Sequence, residues 1–367
     1  MLVKRKCFLV GYTICVVLFY AVAYLVISVI PDSESTESTT ALPASVTTPL
    51  FTDLPSVPPE TNAEAAVLLD AKSGAVLYAK NADARLPMAS TTKIMTAKII
   101  LDTLPLDKTV NVPREATLVE GSSIYLKENE EITVETLLYG LLLESGNDAA
   151  TALAIACSDS VENFAALMND TGKQMGLQNT SFANPHGLTA ENHFTTAYEL
   201  AYITMCALHN PKFREIVSTE KHIAPSENGE YTRYFFNHNK LLRTYNGATG
   251  VKTGYTEAAG RCLVSSAERD GERYICVTLN DRSDWADHSA LLDFAFEAFD
   301  SVEIAADNSF SVYAHGKRFT NANPVYMTVS HGENPILSYE IALSEDKASA
   351  DYYSEKVKLG TFFLIPD

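Results

Sequence analysis

Residues 262–281 read CLVSSAERDGERYICVTLND and carry the clearest fold signal in the chain. Two runs of alternating apolar and polar residues flank Asp270-Gly271, a dipeptide typical of the tight turn of a β-hairpin. A second hairpin pattern, AAVLLDAKSGAVLYAKN, spans residues 65–81. Because a mostly helical block, residues 132–209, separates these strands in the sequence, we predict an α+β fold: an antiparallel sheet flanked by helices.

Shorter patterns elsewhere in the chain predict two more helices and a second domain. Helical periodicity predicts a helix over residues 90–104 and an amphipathic helix over residues 287–299. From residue 300 to 367 strand-like runs alternate with Gly and Asn turns, which predicts a small second β domain. The hairpin turn places Cys262 and Cys276 on opposite faces of the sheet, so we interpret them as buried thiols and not as a disulfide.

The N-terminal residues carry a topological signal. The basic triplet Lys4-Arg5-Lys6 precedes an uncharged, mostly apolar stretch from Cys7 to Ile30. A helix of that length reaches about 36 Å, enough to cross the hydrocarbon core of a bilayer. We predict that residues 1–30 form a membrane anchor; the alternative is a signal peptide cleaved after Ala23. Either way the positive flank stays in the cytoplasm and the rest of the chain is exported.

The rest of the chain divides by composition. Residues 31–62 are rich in Ser, Thr and Pro and cannot bury apolar surface, so we interpret them as an extended linker. Residues 63–299 hold the main helical and sheet patterns, and residues 300–367 form the predicted β domain. A body tethered in this way suggests a target in the cell envelope, outside the lipid.

Composition excludes several classes of function. The chain of 367 residues has 46 Asp and Glu against 28 Lys and Arg, a net charge of −18, which argues against nucleic-acid binding. Its 8 His residues form no H-x-x-x-H or H-E-x-x-H pair, and the chain contains no C-x-x-C. No phosphate loop of the type G-x-x-x-x-G-K-[ST] occurs either. We therefore predict no metal, no nucleotide and no other cofactor.

The sequence Ser90-Thr91-Thr92-Lys93 lies where a Pro-containing turn meets the first predicted helix. Side chains at i and i+3 share one helix face, so the Lys93 amine is near enough to accept the Ser90 proton. A serine at a helix N-terminus also meets free N–H groups and the positive end of the helix dipole, which suit a developing oxyanion. Alone, the pattern is weak. Further S-x-x-K matches begin at Ser218 and Ser344, and a capping serine with a solvated lysine explains an isolated match better.

Two more motifs are weak on their own. Ser145-Gly146-Asn147 interrupts an apolar run before a second helix, where a capping role for Ser or Asn is the simple explanation. Lys252-Thr253-Gly254 is the only K-T-G in the chain and stands at the head of its β-rich half. A strand that offers Lys and Thr side chains, followed by a Gly open to close approach, makes a carboxylate site. The alternative is a strand end with a Gly-rich turn.

The combination is far more specific than its parts. S-x-x-K on a helix start, S-x-N on a turn between helices and K-T-G on a strand follow in this order, a set found in penicillin-binding proteins and class A β-lactamases. Over roughly residues 64–299 the chain resembles the serine D-Ala-D-Ala carboxypeptidases, the low-molecular-mass penicillin-binding proteins. The surroundings of the motifs are similar as well, in the segments LLDAKSGAVLYAKNADARLPMASTTKIMTA, EGSSIYLKENEEITVETLLYGLLLESGNDAA, FANPHGL and GVKTGYTEAAGRCLVSSAERDG.

This resemblance implies the fold of the serine β-lactamases and DD-peptidases, with a helical subdomain beside the sheet and residues 63–299 as the catalytic domain. It implies that Ser90 attacks the carbonyl between the last two D-Ala residues of a peptidoglycan stem peptide and is acylated, as it is by β-lactams. Lys93 is then the general base, and Ser145 relays the proton to the leaving amine. The implied substrate contacts are Asn147, Lys252, Thr253 and Gly254, and the implied oxyanion hole is the backbone N–H groups of Ser90 and Tyr255.

Alternatives remain open from the sequence. A class A β-lactamase needs an Asp in the middle of the second motif, where this chain has Gly146, and a deacylating Glu that we do not find. A DD-endopeptidase or a transpeptidase uses the same residues. A non-catalytic module that binds the cell wall or senses β-lactams keeps the fold without turnover. Of the nearby residues, we interpret His186 as structural and Tyr125 as a packing residue near the cleft.

Overall fold

The structure is a computed structural model that describes residues 57–366 apart from short gaps at 227–228, 230, 315, 334–335, 344–347 and 355–356. The predicted anchor and most of the predicted linker lie outside the described residues. No helix in the described part of the chain is long and apolar enough to cross a membrane. The chain forms two compact units, whose described parts lie within residues 57–301 with 328–333 and within residues 302–327 with 336–366.

The larger unit is built on five strands: β1 (Ala65–Asp70), β2 (Val76–Lys80), β7 (Ala248–Thr256), β8 (Gly260–Arg269) and β9 (Glu272–Leu279). They form one antiparallel sheet in the order β2-β1-β9-β8-β7. Both predicted hairpins are confirmed, since β1 pairs with β2 and β8 pairs with β9 around Asp270-Gly271. Because β1 also pairs with β9, the sheet joins strands from both sides of the helical block.

The helices are α1 (Lys93–Thr103), α2 (Arg114–Thr117), α3 (Val134–Leu142), α4 (Asn147–Ser158), α5 (Val161–Gln174), α6 (Ala197–Leu208), α7 (Pro211–Ser218), α8 (Leu241–Thr244) and α9 (Asp284–Ala298). Four of them begin with a side chain that accepts a backbone N–H of the first turn, which satisfies donors that a helix end leaves free. These capping residues are Thr133, Ser160, Thr196 and Asn210.

Two predicted helices are present with altered starts. The helix predicted over 90–104 begins as a 3-10 turn, Ala89–Thr92, and continues as α1. The helix predicted over 287–299 is α9, which begins three residues earlier than predicted. Asp284 joins Asp287 in its first turn, where negative side chains interact favourably with the helix dipole.

The two faces of the five-stranded sheet bury different partners. Val67 and Val277 belong to the main core, together with Ile94 of α1 and other apolar residues of the helical block. On the opposite face Cys276 packs in a second cluster with residues of α9. Cys262 lies in the main core, so the two cysteines are buried on opposite faces, as predicted, and both are free thiols. The sheet therefore stands between the helical block and α9.

The remaining strands form three two-stranded sheets and a second five-stranded sheet among the described residues. In the larger unit β3 (Thr109–Asn111) pairs with β4 (Glu131–Thr133), and β5 (Lys221–Pro225) pairs with β6 (Thr232–Phe236). Strands β10 (Phe299–Ala305) and β13 (Val325–Ser330) form a two-stranded sheet. The C-terminal β domain holds a five-stranded sheet in the order β11-β12-β16-β15-β14. Its strands are β11 (Ser311–Ala314), β12 (Lys317–Thr320), β14 (Leu337–Leu343), β15 (Ala348–Ser354) and β16 (Val357–Pro366).

Candidate active site

The 3-10 turn before α1 presents Ser90 at a position fixed from several sides. Ala89 has φ +47°, an unusual conformation for a residue with a side chain, and the turn places Ser90 directly after it. Thr92 donates its hydroxyl proton to the carbonyl of Ala89 at 2.8 Å, and its oxygen lies 2.7 Å from Nε2 of His193. Gly187 approaches so closely that an added Cβ would lie 2.0 Å from the Ala89 oxygen. Only glycine fits at that contact.

Lys93 lies beneath Ser90, fully buried in the first turn of α1. Its Nζ is 2.9 Å from Ser90 Oγ, 2.8 Å from Asn147 Oδ1 and 2.5 Å from the backbone oxygen of His186. Two of these partners, the side-chain oxygen of Asn147 and the backbone oxygen of His186, can only accept hydrogen bonds. A neutral amine has two N–H groups for them and one lone pair. That lone pair is then left for the hydroxyl proton of Ser90.

The surroundings of Lys93 favour this neutral form. Burial and the positive charge of Lys252 lower the pKa of Lys93 well below its ordinary value of 10.5, and the Asp148 carboxylate only partly opposes them. No carboxylate of the described residues lies within ion-pair distance of the Lys93 amine. Burial among neutral acceptors, beside a positive charge, therefore favours the neutral amine, which is the form that is able to accept a proton.

The turn between α3 and α4 carries the S-x-N motif. Ser145 is buried with φ +62°, and its hydroxyl makes no hydrogen bond to another described residue. Asn147 opens α4 and donates Nδ2–H to the Glu120 carbonyl at 2.7 Å, which directs Oδ1 toward Lys93. Its backbone N–H donates to the Ser122 carbonyl, also at 2.7 Å. The motif is therefore bound to both Lys93 and the loop of residues 120–126.

Asp148 holds that loop, although sequence reasoning did not select it. The buried carboxylate accepts hydrogen bonds from the Ser123 hydroxyl at 2.6 Å, from the Ile124 N–H at 3.0 Å and from the Leu126 N–H at 3.1 Å. The only sequence signal for this role was the position of Asp148 directly after the S-x-N motif, in the first turn of α4. An acidic residue at that position is explained equally well by a favourable interaction with the helix dipole in solvent.

The K-T-G motif lies on β7, the edge strand of the five-stranded sheet. The Lys252 side chain is buried, and within the described chain its amine donates one hydrogen bond, to the Thr253 carbonyl at 3.0 Å. A Cβ added to Gly254 would lie 3.0 Å from the Ser90 nitrogen and 3.1 Å from Ala89 Cβ. The missing side chain therefore lets the strand backbone lie directly against the serine. Tyr255, the next residue, is 66% exposed.

Glu144 is a second residue that the sequence analysis missed. Its carboxylate accepts the Phe236 N–H at 2.6 Å and lies 3.4 Å from Nε2 of His238. Burial lowers the pKa of Lys252 from 10.5 to about 7, and the charge of Glu144 acts in the opposite direction. Glu144 thus favours the charged form of Lys252 while no acid pairs with Lys93. Only the fold brings Glu144 near the K-T-G strand, so its sequence position could not reveal this interaction.

Two other expectations have different outcomes. His186 contributes its backbone oxygen to Lys93, and burial lowers the pKa of its imidazole to about 3. The prediction that Tyr125 is a packing residue is wrong, because its side chain is 84% exposed and its φ is +60°. Tyr125 has this left-handed backbone conformation and is exposed, whereas Ile124 and Leu126 on either side of it are buried. Among the described residues no group of three or more His, Cys, Asp and Glu residues is arranged to hold a metal ion.

Lys93 is bound to Ser90 and to Asn147 of the S-x-N motif, and the K-T-G strand lies against the Ser90 backbone, on an antiparallel sheet with a helical block. This arrangement defines an active-site serine enzyme of the acyl-transfer type, with lysine in the place of a histidine base. The model of the family Peptidase_S11, D-alanyl-D-alanine carboxypeptidase, matches residues 53–283. The chain belongs to this family, and the resemblance drawn from the sequence is confirmed.

Relatives and solved structures agree with this assignment. D-alanyl-D-alanine carboxypeptidase DacF of Bacillus subtilis is 35% identical over 322 residues, which cover 83% of this chain and 82% of that protein. Penicillin binding protein 5 of Haemophilus influenzae has a TM-score of 0.74 at 26% identity, over 85% of this chain and 98% of that one. The Streptomyces K15 DD-transpeptidase has a TM-score of 0.63 at 33% identity, over 66% of this chain and 99% of that one. The predicted fold class is confirmed.

The contact of Gly254 with the serine backbone makes a direct prediction. In Gly254→Ala the new Cβ meets Ser90 N at 3.0 Å and Thr91 N at 3.2 Å, so β7 must move away from the serine by a few tenths of an ångström. We expect acylation by penicillin to slow about 10-fold or more, because small misplacements of reacting groups are costly. Stopped-flow measurement of the acylation rate tests this, with Gly172→Ala on α5 as the control, since only a flexible leucine limits space there. An unchanged rate in Gly254→Ala contradicts the assigned contact.

Buried Lys252 predicts how stability depends on pH. Its pKa of about 7 in the folded protein lies below 10.5, so between these values the unfolded chain binds the proton and the folded protein does not. Folding stability therefore rises with pH in this window, by at most about 1.4 kcal/mol per pH unit from this group. Lys252→Met removes the contribution, so the stability of the variant relative to wild type is greatest near pH 7 and declines toward pH 10. Calorimetry at pH 7.5, 8.5 and 9.5 measures the gap; a constant gap contradicts the prediction.

Proposed function

We propose that this D-alanyl-D-alanine carboxypeptidase removes the terminal D-Ala from peptidoglycan stem peptides through an acyl-enzyme on Ser90. The observation that carries the proposal is the 2.9 Å contact between the Ser90 hydroxyl and the buried Lys93 amine, whose other partners are neutral acceptors. In that setting the amine takes the hydroxyl proton without an additional charged group.

The first half of the reaction forms the acyl-enzyme. Ser90 Oγ attacks the carbonyl carbon of the penultimate D-Ala while its proton passes to Lys93 Nζ. The resulting oxyanion is bound by the backbone N–H groups of Ser90 and Tyr255. The close approach of Gly254 to the Ser90 nitrogen supports this assignment, because it brings the strand that carries Tyr255 beside the serine.

The intermediate then collapses and the acyl-enzyme is hydrolysed. The proton on Lys93 reaches the leaving nitrogen through the Ser145 hydroxyl, the C–N bond breaks and D-Ala departs as a neutral amine. Two observations support the role of Ser145 as a relay: its hydroxyl makes no hydrogen bond to another described residue, and Asn147, two residues further on, binds the Lys93 amine. A water molecule next attacks the ester, Lys93 takes its proton, and that proton returns to Ser90 Oγ as the shortened peptide leaves.

Substrate recognition follows from charge and hydrogen bonding. The terminal carboxylate of the peptide binds the Lys252 ammonium and the Thr253 hydroxyl on β7, the strand that lies against Ser90. Asn147 retains one Nδ2–H after its bond to Glu120, and this proton is available to the amide on the acyl side. β-Lactams present a carbonyl and a carboxylate to the same groups, so they acylate Ser90 in place of the peptide.

A second candidate function is acyl transfer to an amine in place of water. The observation in its favour is the similarity to the Streptomyces K15 DD-transpeptidase, at 33% identity over 99% of that chain. The same acyl-enzyme serves both reactions, and the outcome depends on which nucleophile reaches it. Incubation with a D-Ala-D-Ala peptide and excess glycylglycine separates them, because transfer yields a longer peptide and hydrolysis a shorter one.

We also propose that the enzyme acts on the outer face of the cell membrane. The support is the basic flank and the apolar stretch of residues 7–30 in the sequence, followed by a Ser, Thr and Pro-rich linker. Cleavage after Ala23 would instead release the catalytic unit. N-terminal sequencing of the protein purified from its own membranes distinguishes the anchored form from the cleaved one.

The proposed function is tested by removal of the Ser90 hydroxyl. We expect wild type to release D-Ala from an acylated L-Lys-D-Ala-D-Ala peptide and to gain a single penicillin adduct on Ser90, and Ser90→Ala to do neither. Ser218→Ala is the matched control, because Ser218 also begins an S-x-x-K sequence but donates its hydroxyl to backbone carbonyls on α7. An adduct in the Ser90→Ala variant contradicts the assignment. A wild type that binds penicillin without releasing D-Ala identifies a non-catalytic module.

A further inference from the structure

Tyr125 combines two features that rarely occur together in a residue without a role. Its φ is +60°, in a region that bulky residues seldom adopt, and 84% of its side chain is exposed. An aromatic ring in solvent gains no burial that would offset a strained backbone. Such outliers cluster at ligand sites, where the surrounding structure holds them in place.

The residues on either side of Tyr125 hold it in this conformation. The N–H of Tyr125 donates to Ser123 Oγ at 2.9 Å, and the Ser123 hydroxyl donates to Asp148. Ile124 and Leu126 are buried, and both donate their N–H groups to the same carboxylate. Because both neighbours are fixed, the backbone of Tyr125 is held in its left-handed conformation.

The loop that presents Tyr125 is part of the catalytic cleft. Its residues Glu120 and Ser122 accept hydrogen bonds from Asn147, whose Oδ1 binds the Lys93 amine. On the other side Arg233 donates Nε–H to the Ile124 carbonyl at 3.3 Å and pairs with Glu130. Tyr125 follows Ser122 by three positions, which is at most about 10 Å of extended chain. Tyr125 therefore lies within about 10 Å of Ser122, the loop residue that Asn147 contacts.

We infer that Tyr125 is a specificity-determining residue that packs its ring on the stem-peptide residues preceding D-Ala-D-Ala. This inference rests on the proposed function, in which Asn147 binds the acyl side of the substrate. The three residues before D-Ala-D-Ala in a pentapeptide extend about 10 Å, which matches the upper limit of the distance between the tyrosine and Ser122, the loop residue bound by Asn147. A tyrosine offers a large apolar face with a polar tip, which suits an extended peptide with an aliphatic side chain.

The experiment compares substrates of different length on full-length protein. We expect Tyr125→Ala to lower kcat/KM about 10-fold for a stem pentapeptide ending in L-Lys-D-Ala-D-Ala. The same variant keeps kcat/KM for acetyl-D-Ala-D-Ala and the penicillin acylation rate within about twofold of wild type, because neither reaches the ring. Tyr125→Phe keeps most of the activity on the pentapeptide. Tyr313→Ala, which removes a tyrosine of 73% exposure on β11, leaves all three measurements unchanged.

Two outcomes overturn the inference. An equal loss on the pentapeptide, the dipeptide and penicillin identifies a residue that only supports the shape of the site, and an unchanged pentapeptide rate removes Tyr125 from recognition. Tyr125→Gly provides a second check, since glycine adopts φ +60° without strain and should raise Tm while it shows the same length-dependent loss. Failure of the proposed function is visible separately, because wild type would then release D-Ala from neither peptide.

Discussion

The site depends on one constraint: the Lys93 amine is buried against three oxygen atoms, none of which belongs to a carboxylate. Burial without a counter-ion disfavours the charged form, so the amine is available as a base beside Ser90. A carboxylate paired with Lys93 would lower the free-energy cost of burying the amine, but it would also keep the amine protonated. The second buried lysine, Lys252, strengthens the constraint because its charge repels a proton on Lys93.

Several elements exist in their present form to maintain this contact. Gly187 brings the loop that carries the His186 carbonyl against Ala89, and Gly254 brings β7 against Ser90. Asn147 is oriented by the loop of residues 120–126, which Asp148 fixes through three hydrogen bonds. The two lysines differ in their acidic neighbours. The carboxylate of Glu144 favours the charged form of Lys252, whereas no acid pairs with Lys93. One lysine is thereby suited to proton transfer and the other to an anionic substrate group.

Sequence patterns predicted those parts of the fold that local chemistry determines. The Asp270-Gly271 turn and the alternation around it gave the hairpin and the faces of Cys262 and Cys276, because side-chain period and turn geometry are local properties. The spacing of Ser90 and Lys93 likewise follows from helix geometry. Asp148, Glu144 and the exposure of Tyr125 depend on contacts between segments far apart in the chain, such as Glu144 with Phe236. No periodicity or motif encodes such contacts.

The most direct test of the account is the protonation state of Lys93 in the resting enzyme. NMR titration of protein labelled with carbon-13 at the lysine Cε positions reports the charge on each amine, with Lys93→Met to assign the signal. The account predicts that the Lys93 amine loses its proton well below pH 10.5, because burial and the positive charge of Lys252 both lower its pKa. It also predicts that Lys252 titrates near pH 7. A Lys93 amine that stays charged up to about pH 10, as in a solvated lysine, would contradict the central claim.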